Sequence, residues 1–120
     1  MPATPLYQFP HLHAAVAEPG EPGRWRWRAR GMLSELRDLL TSESPVSTDG
    51  WLAARGAGMI RERNALLARV AALGPQLLAD APLDELRDRL GRLLVDVEHH
   101  LQRRRDLAWD EVEMELGGSE

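Results

Sequence analysis

Two apolar stripes at helical spacing, joined by a connector long enough only for a bend, constrain this chain more than any other feature. Leu52, Gly56, Met59, Arg63, Leu66, Val70 and Leu73 follow one another at steps of four and three, and Leu67 and Ala71 widen the stripe. Leu86, Leu90, Leu93, Val97, Leu101, Ala108 and Val112 make a second stripe. Ser47-Thr48-Asp49 supplies N-cap residues for the first helix and Asp80-Ala81-Pro82 starts the second, with Asp84 and Glu85 at the positive end of its dipole. Gly74-Pro75 is expected to stop the first helix, with Gln76 to Leu78 adding at most one turn. Helices joined so closely pack antiparallel. With the bend near Leu78, residues lie level when their numbers add to roughly 156. Gly56 then meets His100, and the second helix overhangs the first from about Ala108 onward.

A further stripe, Trp25, Ala29, Met32, Leu36 and Leu39, predicts another helix, ended by Thr41-Ser42-Glu43-Ser44-Pro45. Residues 1–23 hold Pro2, Pro5, Pro10, Pro19 and Pro22 and two glycines, which predicts an extended arm and linker. Leu6, Tyr7 and Phe9 are available to pin that arm to a helix. The expected fold is therefore all-α: a three-helix domain built on a long antiparallel helical hairpin, with an extended Pro-rich N-terminal arm. The domain spans 24–116, with helix A at 24–41, helix B at 49–73 and helix C at 82–116. Residues 117–120, after the Gly117-Gly118 break, form a flexible tail.

Composition removes several classes of function. The 120 residues contain no cysteine, which excludes disulfides, thiol catalysis and Cys-based zinc sites. A formal charge of −4 opposes general nucleic-acid binding. No run of about 18 apolar residues exists to span a membrane. The N-terminus shows no basic segment followed by a long apolar stretch, so the cytoplasm is the expected location. All fifteen basic residues are arginine, which points to a GC-rich gene before it points to physics. The serines stand in no Gly-x-Ser-x-Gly turn, and neither a phosphate-binding glycine loop nor a lysine to serve one is present. No enzyme activity and no cofactor are expected.

Three features remain as candidate sites. Arg24-Trp25-Arg26-Trp27-Arg28-Ala29-Arg30 interleaves basic and aromatic residues, a pattern that binds nucleic acid or an anionic surface through charge and stacking. The alternative is structural: Trp25 joins the apolar face, Trp27 lies off it, and the arginines meet Asp84, Glu85 and Asp88. His99 and His100 suggest metal binding, since Asp96-x-x-His99 sets a carboxylate and an imidazole three apart on a helix. There is one such pair only, with Arg92 and Arg103 to Arg105 nearby to repel a cation, so no metal is assigned. His100 also falls seven after Leu93, which turns it into the seam. The third feature is the expected overhang. Trp109, Val112 and Leu116 share one face, edged by Glu113 and other acids, with Arg103, Arg104 and Arg105 one turn before it. That set is the expected partner-binding surface.

The text Val97-Glu98-His99-His100-Leu101-Gln102-Arg103, with Asp106-Leu107-Ala108 and the close Leu116-Gly117-Gly118-Ser119-Glu120, resembles small uncharacterised helical proteins of high-GC actinobacteria. The resemblance covers 97–120 best, leaves out the Pro-rich arm and implies no activity. The sequence as a whole predicts a protein–protein interaction or regulatory adaptor module, with a homodimer as one form. A nucleic-acid or anionic-surface binder using residues 24–30 is the second reading, and a metal-binding protein using His99 and His100 the third.

Overall fold

The structure is a computed structural model that describes residues 8–44, 50–79 and 81–117, with the side chains of Trp51 and of residues 114–117 left aside. All regular structure among the described residues is helical: α1 (Pro10–Ala17), α2 (Pro22–Thr41), α3 (Ala53–Leu78) after a 3₁₀ turn at Gly50–Leu52, and α4 (Leu83–Gly117). α3 lies between α2 and α4, and α1 rests on α4 and α2. The expected caps Ser47 to Asp49, the residues Leu6 and Tyr7 of the expected arm, and tail residues 118–120 fall outside the described residues.

The first difference from expectation is α1, a fourth helix where an arm was predicted. The prolines that suggested extension stand at helix starts. Pro10 opens α1 and Pro22 opens α2, where a missing amide costs nothing because that N–H has no intrahelical partner. Leu12 and Val16, four apart, give α1 one apolar side and are buried, and Phe9 packs partly buried against the same core. Gly20, at φ 156°, turns the chain between the two helices in a conformation closed to other residues.

The second difference is the bend. α3 does not stop at Gly74-Pro75 but continues to Leu78 with Pro75 inside it. An interior proline costs roughly 3 kcal/mol. Continuing the helix buries Leu77 to 2% exposure, worth about 2–3 kcal/mol. The terminal carbonyls also find a donor, because the Arg26 guanidinium reaches the oxygens of Leu77 (3.1 Å), Ala79 (2.8 Å) and Ala81 (2.7 Å). This moves the bend beyond Leu78 and shifts the pairing of α3 with α4. Arg55 meets Asp110, Glu62 meets Arg103, Arg69 meets Asp96 and Gln76 meets Arg89. These pairs step by seven along both helices, and their numbers add to 165 every time, not 156. Ala53, the first residue of α3, is therefore level with Val112, and the overhang shrinks to about the last turn of α4.

The apolar seam lies where the stripes placed it. Leu66, Val70, Leu90, Leu93 and Val97 are all buried, joined by Leu73, Leu77, Leu86 and Leu94, while α2 adds Trp25, Ala29, Met32, Leu33, Leu36 and Leu40. Gly56 is buried too, but it does not face His100, which is engaged by Glu62 one turn and a half further along. Gly58 has open space for a methyl group, its nearest neighbour being the Arg61 guanidinium at 3.8 Å. Close helix approach therefore does not account for that glycine.

Candidate functional site

The Arg/Trp segment divides between the inside and the outside of the bundle. Trp25 is 3% exposed, donates its indole N–H to the carbonyl of Val16 at 3.0 Å, and lies 5.5 Å beneath the Arg87 guanidinium. Arg26 caps the end of α3. Trp25 and Arg26 are thus committed to the fold. Arg28 pairs with Glu18. The arginines do lie toward the start of α4, but Arg26 meets backbone carbonyls there, not Asp84, Glu85 or Asp88, because the shifted bend brings the chain end of α3 under its side chain. Trp27 remains 74% exposed, bracketed one turn to either side by Arg24 and Arg30, and these two arginines are exposed without an ion pair among the described residues.

At the other end of the bundle a polar cluster occupies the core. α2 ends at Thr41, where the hydroxyls of Thr41 and Ser42 accept the role of donors to the last carbonyls. The chain then turns Glu43 inward until its side chain is 4% exposed. His100 is wholly buried, with Nε2 2.7 Å from Glu43 Oε1 and Nδ1 2.7 Å from Glu62 Oε1. Arg104 donates to Glu43 at 3.1 Å and to the carbonyl of Ser44 at 2.7 Å, and Arg103 meets Glu62 at 2.9 Å. Each ring nitrogen of His100 thus faces one carboxylate oxygen. The cluster ties the α2–α3 connection and α3 to α4.

His99 points to solvent. The two adjacent imidazoles therefore do not converge, as neighbours about 100° apart around a helix cannot. Among the described residues no three His, Asp or Glu side chains are grouped so as to hold a metal ion.

Glu98 forms a second buried contact of this kind. Its carboxylate accepts the backbone N–H groups of Gln8 (2.6 Å) and Phe9 (3.1 Å) and faces His13 Nε2 at 2.5 Å. It therefore anchors the start of α1 on α4, where free amide donors and the helix dipole favour an anion. Glu43, Glu62, Glu98 and His13 were not singled out from sequence. Glu62 and Glu98 become legible only once the register and α1 are known.

On α4 the residues expected to bind a partner separate in the same way. Arg103 and Arg104 are occupied by Glu62 and Glu43, and Arg105 bonds Gln102. Trp109 is 65% and Val112 49% exposed. The Trp109 indole N–H donates to Glu113 at 2.9 Å, which lays the ring along the helix surface. Asp110, beside it, is held by Arg55. The Leu116 side chain lies outside the described residues. The groove lined by Ala15, Trp27, Arg30 and Gly31 is a wide, open surface depression between helices. No helix among the described residues is long and apolar enough to cross a membrane. No protein-family model, curated protein or solved structure matches the chain.

Proposed function

We propose that this chain is a protein–protein interaction module that does no catalysis and docks through aromatic anchors left outside a complete core. The observation that carries the proposal is the contrast between tryptophans. The fold encloses Trp25 to 3% exposure, yet leaves Trp27 and Trp109 at 74% and 65%, the latter beside exposed Val112 and edged by Asp106 and Glu113. Tryptophan is over-represented among residues that dominate binding energy, and an apolar stripe with a charged rim is the usual form of a docking patch. The cytoplasm is the compartment this role assumes.

Affinity capture from the native cell, run in parallel with wild type and with a Trp109→Ala, Val112→Ala double variant, tests the role. A partner, or a second copy, that is retained by wild type and lost by the variant supports it. Identical recoveries from both count against it. A second reading rests on Arg24 and Arg30, which bracket Trp27 with charge that has no ion-pair partner among the described residues and would suit an anionic surface or single-stranded nucleic acid. It requires binding with a steep salt dependence that Trp27→Ala with Arg30→Ala removes.

A further inference from the structure

We infer that the occupant of the α4 stripe is a second copy of this chain, which sets its own Trp27 face against Trp109 and Val112 in an antiparallel two-fold dimer; the inference rests on the interaction role proposed above. Both patches lie on the side of the molecule that carries α1. Trp27 shares a shallow groove with Ala15 of α1. On α4, Gly91 and Glu98 face α1, the first with its Cβ position 3.9 Å from Val16 and the second against His13. Val112 follows Glu98 by two heptads and so continues that face, with a drift of about 20° per heptad.

The two patches lie at opposite ends. Trp25 beneath Arg87 places the α2 patch level with the first turns of α4, whereas Trp109 lies about 30 Å further along at 1.5 Å per residue. Their net charges are opposite: exposed Arg24 and Arg30, without an ion pair among the described residues, at one end, and exposed Asp106 and Glu113, which outnumber exposed Arg105, at the other. Among the described residues, the segment from Gln8 to Glu18 meets α4 between Glu98 and Arg87. An antiparallel copy brings its own α1–α2 end to the stretch of α4 beyond Glu98. One two-fold axis then satisfies both patches on both copies, and the contact closes on itself instead of propagating into a filament.

Sedimentation over a range of protein concentrations and salt tests the pairing with three variants whose altered residues are all exposed. Arg24→Glu with Arg30→Glu should weaken self-association at least about tenfold, and Asp106→Arg with Glu113→Arg should do the same. Combining all four substitutions should restore dimers, because each copy again presents opposite charge to the other. Circular dichroism melts of all three should match wild type in protein dilute enough to be monomeric. Failure of the combined variant to recover, where each half alone loses the dimer, overturns the pairing. A wild type that is monomeric at every concentration overturns it too. If such a monomer still captures a different protein through Trp109, the interaction role survives without the dimer. If it captures nothing, both fail.

Discussion

The two ends of the bundle are closed by different physics. Between the C-terminal half of α1 and the start of α4 the core is mainly apolar: Leu12, Val16, Trp25, Leu77, Leu86 and Leu90 are buried, and the Trp25 indole and Arg26 guanidinium find backbone carbonyls, while the buried Glu98 carboxylate meets the other end of α1. Beyond Glu98, the last α4 residue that the described start of α1 touches, the interior holds His100 between Glu43 and Glu62, with Arg104 behind, before Leu107 closes it. Apolar burial tolerates small shifts of one helix along another, whereas a buried imidazole flanked by two carboxylates fits one register. The first end contributes mainly stability. The second contributes mainly position, and each end leaves one tryptophan in solvent, Trp27 at the first and Trp109 at the second.

Substitutions should separate these contributions. The largest effect is expected from Trp25→Ala at the apolar end, about 3–5 kcal/mol in chemical denaturation. A loss under about 1 kcal/mol would mean that Trp25 is not core at all. His100→Ala should follow at about 3 kcal/mol, because it strands Glu43 and Glu62 against each other while Arg103 and Arg104 remain to compensate in part. Replacing His100, Glu43 and Glu62 together by leucine should cost less than His100→Ala alone, since apolar packing removes the two facing carboxylates while Arg104 keeps the Ser44 carbonyl and half-exposed Arg103 keeps water. If the triple variant is the worse of the two, the cluster stabilises the fold in its own right and the contrast between the ends dissolves. Arg69→Ala, in the half-exposed ladder between α3 and α4, should cost below about 1 kcal/mol, and less as salt rises. Smallest of all, Trp27→Ala and Trp109→Ala should leave the melts of dilute, monomeric protein within about 0.5 kcal/mol of wild type.

Much of the apolar end was legible in the sequence, because its information is periodic. Leu66, Val70, Leu90, Leu93 and Val97 announce a shared face by spacing alone, and His100 announces an inward direction in the same way. α1 was not legible: Pro10, Pro19 and Pro22 read as extension, yet the same residue that breaks a helix inside also begins one. The hairpin register failed through Pro75, whose helix-stopping tendency is outweighed by burial of Leu77 and the Arg26 cap. A signal for the true register was present. Aligning Arg55, Glu62, Arg69 and Gln76 against Asp110, Arg103, Asp96 and Arg89 makes every pair complementary, while the register centred on Leu78 sets Glu62 opposite Leu94 and Arg69 opposite Arg87. Glu43 was beyond reach, since it lies in a connector whose path no periodicity describes.

The central claim is that Trp27 and Trp109 belong to an interface and Trp25 to the fold. Hydroxyl-radical footprinting of the intact protein, read tryptophan by tryptophan in mass spectra as concentration rises, addresses all three rings at once. Trp25 should be unreactive throughout. Trp27 and Trp109 should both react readily in dilute protein and become protected together as copies associate. A Trp109 already protected in dilute monomer, or a Trp27 and Trp109 that stay equally reactive at every concentration, would contradict the account.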